Sequence, residues 1–348
     1  MIVIDGSYHE GGGQIVRTAV GLSALFLKDT RIENIRANRP NPGLSWQHVC
    51  AINAAAKLCS ARTKGVFVGS KTAEFLPGKD LKNDIKVKIP TAGSVGLVVQ
   101  PIIIAAARAK ENIRIEIDGG ASFGKWAPPM TYIQNVFSRA IARFGFDVNA
   151  EVMRHGFYPK GGGRVRVEIR PPKPRCADII HFSEKADISG LSVASSELEG
   201  RDVALRQAES AKKRLEEANI SGKVDIEQTY VDSVSPGAGI VLFTGGDMYL
   251  GASAVGEPGK RAESIGEEAA LQLIDELKAK ACVDKYLCDQ LIPILAISGG
   301  SIKTSEITKH TETNIWVVEK FIDGLFNVNK YDKIVSFDLQ KPKKHGFE

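Results

Sequence analysis

The segment from Asp5 to Arg17 carries the clearest pattern for binding an anion. It reads DGSYHEGGGQIVR, so three consecutive glycines stand between a short apolar run and a helix-like run. Glycines at a helix N-terminus let backbone N–H groups approach a phosphate, and the helix dipole also favours negative charge. Glu10 would repel that phosphate unless a divalent cation lay between them. The segment therefore predicts a metal–nucleotide site, with a tight turn and a solvated Glu10 as the alternative.

A pair of arginines follows in the segment RANRPNPGL. Arg36 and Arg39 lie shortly before Trp46, Gln47 and His48. Arginine binds phosphate through paired hydrogen bonds, and aromatic and amide side chains contact unpaired bases. The spacing is therefore compatible with a phosphate-terminated nucleic acid. Surface arginines beside a tryptophan that packs a helix are the alternative.

A second triple glycine lies in HGFYPKGGGRV, residues 155–165, between Lys160 and Arg164. Basic residues on a glycine loop suit a phosphate or a nucleic-acid backbone. A hairpin turn with a charged rim explains the same residues, and the spacing alone favours this hairpin.

His310 stands in SEITKHTETNIW, between a strand-like run and the start of a helix. An imidazole with an ordinary pKa of about 6.5 is mostly neutral at neutral pH, so it can act as a nucleophile or base. A structural histidine is the alternative.

In the pentapeptide YLCDQ, Tyr286 could stack on a base while Asp289 and Gln290 bind the nucleotide, although most such runs are ordinary helix starts.

The elements that carry these residues repeat along the chain. One pattern occurs three times, with a glycine-marked turn or short strand, an apolar helical run, an alternating strand and a second amphipathic helix. The apolar runs carry Gln14, Gln100 and Gln290. The predicted fold is α/β, with three repeated βαβαββ units in which sheets pack against helices.

The third copy of this pattern is displaced along the chain. The segment RPPKPR closes the second unit, and a stretch with its own alternation of strands and helices runs from about Glu184 to about Ala279. We interpret this stretch as an inserted small α/β domain. The predicted domains are a catalytic repeat domain, 1–183 with 280–348, and the insertion, 184–279.

Composition narrows the class of protein. The chain has 348 residues, 43% hydrophobic and 25% charged, with a net charge of +5, which excludes intrinsic disorder and leans mildly toward polyanion partners. Five cysteines without a C-x-x-C pair disfavour a disulfide framework and a structural zinc site. The longest apolar stretch, 95–107, is too short for a membrane span. No basic segment leads into an apolar run at the N-terminus, so the expected compartment is the cytoplasm.

Five ordered motifs together resemble the RNA 3′-terminal phosphate cyclase family: EGGGQIVR, RANRPNPGL, HGFYPKGGGRV, YLCDQ and KHTETNIW. The resemblance covers essentially the whole chain. It implies three βαβαββ units, similar to the C-terminal domain of a bacterial translation initiation factor and to enolpyruvyl-transferase units, with a small domain inserted in the third. Cys288 stands where a small residue is expected. The chain contains no P-loop or dinucleotide fingerprint, so its ATP site would be of this family's own type.

The resemblance also implies a reaction. ATP adenylylates a histidine with loss of pyrophosphate, and AMP then passes to the 3′-phosphate of RNA. The vicinal 2′-hydroxyl attacks, giving a 2′,3′-cyclic phosphate and free AMP. The expected co-substrate is ATP with Mg²⁺ or Mn²⁺, and the expected partner is RNA with a 3′-phosphate end.

By the matching motifs, His310 is the expected nucleophile and Glu10 the expected metal ligand. Charge and motif position make Arg17, Arg36 and Arg39 the candidates for the RNA phosphate. The expected ATP-binding residues are Gln100, Pro129, Tyr286, Leu287, Cys288, Asp289 and Gln290.

Two other classes of protein share features with this sequence. Non-catalytic relatives that act in ribosome assembly lack the nucleophilic histidine, whereas His310 stands here in an intact motif. An enolpyruvyl transferase shares the repeated unit, but KHTETNIW and HGFYPKGGGRV resemble the cyclases. No membrane association is expected, and homo-oligomer formation stays open.

Overall fold

The computed structural model describes residues 1–338; the predicted end of the repeat domain, 339–348, lies outside the described residues. The first unit forms a four-stranded sheet with the strand order β1-β2-β4-β3. Its elements are β1 (Ile2–Asp5), α1 (Gly13–Phe26), β2 (Thr30–Glu33), α2 (Trp46–Cys59), β3 (Arg62–Lys64) and β4 (Ala73–Leu76).

The second unit forms a sheet with the order β5-β6-β8-β7. Its second helix is unbroken but changes type along its length. A π-helical stretch, Ile133–Phe137, joins two α-helical pieces. The elements are β5 (Asp84–Ser94), α3 (Val95–Ala105), β6 (Ile113–Ala121), α4 (Met130–Tyr132), α5 (Ser138–Arg143), β7 (Val148–Arg154) and β8 (Arg164–Ile169).

The third unit is split. It begins with β9 (Ala177–Ile179), and the insertion follows with β10 (Ile188–Ser195), α6 (Val203–Glu217), β11 (Val224–Val231), β12 (Ala238–Thr244), β13 (Gly251–Val255) and α7 (Ala262–Lys278). The unit then resumes with α8 (Lys285–Ser298), β14 (Gly300–Lys303), α9 (Lys309–Glu319), β15 (Phe326–Asn329) and β16 (Ile334–Phe337).

The three units share one strand topology. In each sheet the first two strands pair in parallel, and the fourth strand pairs antiparallel with the second and the third. The predicted α/β fold with three βαβαββ units and an inserted α/β segment is confirmed. The first strand of the third unit, β9, precedes the insertion and pairs with β14 beyond it.

The helices pack into a shared apolar core. α3 has apolar residues on every side, and ten of its eleven residues are buried. At Gly21 of α1, an added Cβ would lie 2.8 Å from Cβ of Ile104, so the absent side chain lets α1 and α3 approach closely. Within residues 1–338, no helix combines the length and apolarity needed to cross a membrane.

The insertion has its own four-stranded sheet, ordered β11-β10-β12-β13, and its own apolar cluster beneath α7. The motif HGFYPKGGGRV spans the β7–β8 hairpin, as its favoured interpretation predicts. This hairpin packs against the insertion, because Ser235 Oγ accepts a hydrogen bond from the Lys160 backbone N–H at 3.2 Å.

Candidate active site

Parallel pairing of β1 with β2 brings two loops to one edge of the first sheet. The glycine loop, residues 6–12, follows β1, and the arginine loop, residues 34–45, follows β2. The Gly6 N–H donates to the Glu33 carbonyl at 2.7 Å, and the Arg36 N–H donates to the Gly6 carbonyl at 3.3 Å. Arg39 Nη2 then lies 3.5 Å from Glu10 Oε2. The glycine loop and the arginine loop, which the sequence pattern treats separately, therefore form one surface.

His310 joins this surface from the third unit. It lies in the first turn of α9, whose N-cap residue Thr308 accepts a hydrogen bond from the Thr311 N–H through Oγ1. The His310 Nδ1 atom is 3.9 Å from Glu10 Oε2, and 43% of the histidine side chain is exposed. The imidazole is therefore accessible and faces the carboxylate of the glycine loop.

An aromatic contact fixes the glycine loop against α9. The Tyr8 ring stacks on the Trp316 ring with centroids 4.1 Å apart and planes at 5°. Because Tyr8 is two residues from Glu10 and Trp316 lies on the same helix as His310, this stack helps to hold the two candidate side chains near each other.

Burial, helped by two nearby arginines, favours the neutral form of the His310 ring. Burial lowers the pKa of His310 below its ordinary value, Glu10 opposes this shift, and Arg17 and Arg39 add to it. The helix N-terminus beneath the ring also disfavours a positive charge. An unprotonated nitrogen is thus available near neutral pH, as a nucleophile requires.

Arg17 connects the first helices of all three units. Its Nε donates to Gln100 Oε1 at 2.9 Å, and Gln100 Nε2 donates to Gln290 Oε1 at 3.2 Å. Gln290 Nε2 in turn donates to the Tyr286 carbonyl at 2.9 Å. Burial lowers the pKa of Arg17 to about 10, so the guanidinium still carries its charge at neutral pH.

Asp289, on α8, lies near Arg17 of α1. Burial raises the pKa of Asp289 to about 8, an effect that Arg17 opposes and Asp284 reinforces. The Asp289 carbonyl accepts a hydrogen bond from Asn314 Nδ2 at 2.8 Å. The Asn314 side chain also accepts from Thr18 Oγ1 at 3.0 Å, so α1, α8 and α9 are joined beside His310.

The YLCDQ run presents only some of its side chains to the surface. Tyr286 is 55% exposed, whereas Leu287 and Cys288 are fully buried in the core. Burial raises the pKa of Cys288 to about 12, so this thiol is protonated. The side chains of Leu287 and Cys288 are therefore not available to contact a nucleotide. The sequence already indicates that Leu287 and Cys288 are buried, because the apolar residues Leu291 and Ile292 follow them one helical turn later.

Pro129 belongs to a segment that contacts the start of α8. It is buried at the N-cap of α4. Tyr132, in the first turn of α4, donates its hydroxyl to Asp284 Oδ2 at 2.7 Å, and Asp284 caps the helix that begins with Lys285 and Tyr286. The proline segment and Tyr286 thus reach the same end of α8.

His48 lies beside the candidate site, although motif matching does not assign it a role. Its Nδ1 accepts a hydrogen bond from the Ser45 backbone N–H at 3.0 Å, so Nε2 carries the ring proton. Burial, with Arg17 and Arg36, lowers the pKa of His48 to about 3, which keeps the ring neutral. A Cβ at Gly13 would lie 2.0 Å from His48 Nε2, so the glycine admits this histidine at the start of α1. Its sequence signals are its place shortly after Arg36 and Arg39 and the S-x-x-H capping pattern from Ser45.

The charged and N–H groups around His310 are suited to binding a polyanion beside this candidate nucleophile. Arg17, Arg36 and Arg39 supply positive charge, and the glycine loop and the N-terminus of α9 supply backbone N–H groups. Arg36 is oriented by donating from Nη1 to the Gly43 carbonyl at 2.9 Å. Among residues 1–338, no group of three or more His, Cys, Asp or Glu side chains is arranged to hold a metal.

Comparison with known proteins identifies the family. The family model described as RNA 3′-terminal phosphate cyclase matches residues 8–328. The chain is 45% identical over 331 residues to a protein of Pyrococcus furiosus with that name, covering 94% of this chain and 95% of the relative. It is 44% identical over 332 residues to one of Methanosarcina barkeri (95% and 97% covered), and 43% identical over 341 residues to one of Methanococcoides burtonii (98% and 100%). The chain belongs to the RNA 3′-terminal phosphate cyclase family.

Proposed function

We propose that this protein converts an RNA 3′-terminal phosphate into a 2′,3′-cyclic phosphodiester at the expense of ATP, with His310 as a transient carrier of AMP. One observation carries the proposal: an accessible, neutral imidazole at a helix N-terminus faces Glu10 and lies among arginines. That environment suits attack on a phosphorus atom and would stabilise the charge of both the incoming and the leaving groups.

The proposed reaction has three steps, and in each one a bond to phosphorus forms as another breaks. The lone pair of His310 attacks the α-phosphorus of ATP, a P–N bond forms, and the bond to pyrophosphate breaks. An oxygen of the RNA 3′-phosphate then attacks the same phosphorus and releases the histidine. Finally, the 2′-hydroxyl attacks the 3′-phosphorus, loses its proton and expels AMP. Because His310 Nδ1 faces Glu10, Nε2 is the nitrogen that attacks.

The ATP would lie between the second and third units. Tyr286 is exposed at the start of α8 and offers a ring for the adenine, whereas Pro129 is buried and would support this end of α8 through the segment that carries Tyr132. Gln100, Gln290 and Asp289 line the route from this ring to Arg17. Leu287 and Cys288 would contribute by supporting the helix rather than by contact.

Glu10 would hold the divalent cation, Mg²⁺ or Mn²⁺. One carboxylate is a suitable protein ligand for such a cation, whose other ligands are commonly water and nucleotide phosphates. When bound, the metal would neutralise phosphate charge and help pyrophosphate leave. Arg39, which pairs with Glu10 in this structure, would then be free to bind the RNA phosphate together with Arg36.

The domain division belongs to the same proposal. Residues 184–279 would form the inserted domain and residues 1–183 with 280–348 the catalytic repeat domain. Strands β10 to β13 form a sheet of their own, which supports this division.

Self-adenylylation tests the proposal. The purified protein is incubated with α-labelled ATP and magnesium, and the denatured protein is examined for an acid-labile, base-stable label. We expect a label in the wild type that moves to 3′-phosphorylated RNA and is absent from His310→Ala. His9→Ala, which removes a histidine of the same loop surface, is the matched control. A label that persists in His310→Ala would overturn the nucleophile assignment, and no label in a wild type that binds RNA would favour the non-catalytic relative.

A further inference from the structure

The β3–β4 loop carries an exposed aromatic side chain beside the arginine loop. Phe67 is 62% exposed and its neighbour Val68 is 46% exposed, although both are apolar. Trp46, at the start of α2, is 52% exposed. The Phe67 ring is the most exposed of the three and is therefore accessible to a ligand.

Strand topology places this loop at the edge of the sheet that carries the site. β4 runs antiparallel to β2, and Ala73 at its start pairs with Ile32 near the end of β2. The loop before β4 therefore meets the loop after β2. The Ile35 N–H donates to the Lys71 carbonyl at 3.0 Å, which joins the two loops at this edge.

Two further hydrogen bonds fasten the Phe67 loop to the arginine loop. The Leu44 N–H donates to the Ser70 carbonyl at 2.9 Å, and the Gly69 N–H donates to the Leu44 carbonyl at 2.7 Å. Arg36 donates to the carbonyl of Gly43, the residue before Leu44, at 2.9 Å. An aromatic ring is thus held a short backbone path from a guanidinium of the candidate phosphate site.

The charge of this edge selects the class of ligand. Arg36 bonds to Gly43, beside the Leu44 that is hydrogen-bonded to the Phe67 loop; Arg39 follows three residues after Arg36, and the exposed Lys71 lies within the Phe67 loop. An uncharged apolar peptide would gain nothing from these cations, whereas single-stranded RNA pairs each stackable base with an anionic phosphate. Aromatic side chains beside a basic groove are the usual means of binding single strands without sequence preference.

We propose that Phe67 stacks on the base of the penultimate nucleotide, the one that precedes the nucleotide carrying the 3′-phosphate, and thereby helps to position the RNA end. This rests on the proposed function, because Arg36 and Arg39 are taken to bind the terminal phosphate. Phe67 is a positioning residue, since it touches the substrate away from the reacting atoms. A substrate without an upstream nucleotide gains nothing from it.

Direct binding of RNA is the first measurement. The affinity of a 5′-fluorescent, 3′-phosphorylated pentaribonucleotide is measured by anisotropy at fixed salt, because phosphate contacts make affinity salt-dependent. We expect Phe67→Ala to weaken binding about tenfold, as expected for the loss of one base–aromatic stack, and Phe67→Tyr to retain it. The matched control is Leu27→Ala, which removes an exposed apolar side chain at the C-terminal end of α1.

The substrate provides the second test. Phe67→Ala should raise the apparent KM for the pentaribonucleotide about tenfold with little change in kcat. It should leave the KM for a nucleoside 3′-phosphate and the rate of self-adenylylation unchanged. An oligonucleotide that lacks the penultimate base should bind the wild type and Phe67→Ala equally.

The outcomes separate this inference from the proposed function. Weaker binding by Phe67→Ala in a protein that forms no adenylate would support the stacking role and overturn the cyclase mechanism. Normal adenylylation with unchanged RNA binding and KM in Phe67→Ala would overturn the stacking role alone. An equal loss with the nucleoside 3′-phosphate, or no RNA binding by the wild type, would also overturn it.

Discussion

His310 Nδ1 lies 3.9 Å from Glu10 Oε2, and the same carboxylate oxygen lies 3.5 Å from Arg39 Nη2. One acidic side chain is thus shared between the candidate nucleophile and a candidate phosphate ligand. Under the proposed function, we expect an RNA phosphate or a metal that enters the site to compete for these contacts. The charge on each partner therefore affects the protonation of the histidine.

Arg39→Gln should change the pH dependence of adenylylation. Arg39 lowers the pKa of His310, so removing it raises that pKa and leaves more of the ring protonated in weak acid. We expect the acid limb of the single-turnover rate to move to higher pH. Lys330→Gln, which removes the partner of Glu312 rather than of Glu10, should leave the limb in place. A limb that stays unmoved in Arg39→Gln would argue against this electrostatic coupling.

Glu10→Gln should raise the magnesium concentration needed for half-maximal adenylylation by about tenfold, because a neutral amide binds divalent cations less well than a carboxylate. The fold should be unaffected, since Glu10 lies in a partly exposed loop. Glu312→Gln, a change in the neighbouring helix α9, is the control. Unchanged metal dependence would remove Glu10 from the metal site.

Gln100→Ala should destabilise the protein by about 1–3 kcal/mol, since it leaves the partly buried Arg17 Nε and the Gln290 amide without their partner. Urea unfolding with an unchanged m-value would measure the loss. Gln228→Ala, on an exposed position of β11, should change stability by less than about 0.5 kcal/mol. Equal effects of the two substitutions would show that the glutamine connection contributes nothing.

Asp284→Ala should cost about 3 kcal/mol or more. Asp284 Oδ1 accepts from the N–H groups of Tyr286 and Leu287, and Oδ2 accepts from the Tyr132 hydroxyl and the Gly251 N–H. These groups are buried or partly buried and would lose their acceptor. Thermal unfolding is the measurement.

The control for that substitution is Asp202→Ala. Asp202 occupies the N-cap of α6 but makes no side-chain capping hydrogen bond. Its loss should therefore change stability by less than about 1 kcal/mol. A smaller effect at Asp284 than at Asp202 would contradict the assigned role of the buried carboxylate.

Glu276→Gln should stabilise the protein at alkaline pH. Burial, reinforced by Asp284, raises the pKa of Glu276 from 4.5 to about 7, and within the described residues its Oε2 has no hydrogen-bond partner. The native state therefore binds more protons than the unfolded state between these pH values, so wild-type stability falls as pH rises through them. The difference in unfolding free energy between variant and wild type should grow by about 2–3 kcal/mol from pH 5 to pH 8. A stability difference that does not change with pH would refute the raised pKa of Glu276.

The sequence by itself determined the repeat and the chemistry-bearing motifs. Alternating strands and apolar helical runs depend on local periodicity, so the three βαβαββ units are readable from the order of residues. The glycine loop around Glu10 and the helix start at His310 are local as well. The resemblance in five motifs then named the family, which the comparisons confirm.

Only the tertiary structure decided which of these local features meet. The approach of His310 to Glu10, the bond from Gln100 to Gln290, and the pairing of β9 with β14 across the insertion all join distant segments. Such contacts follow from how sheets and helices pack around a shared core, which residue spacing does not encode. The same packing left Phe67 outside the core, because an apolar side chain is buried only where another element covers it.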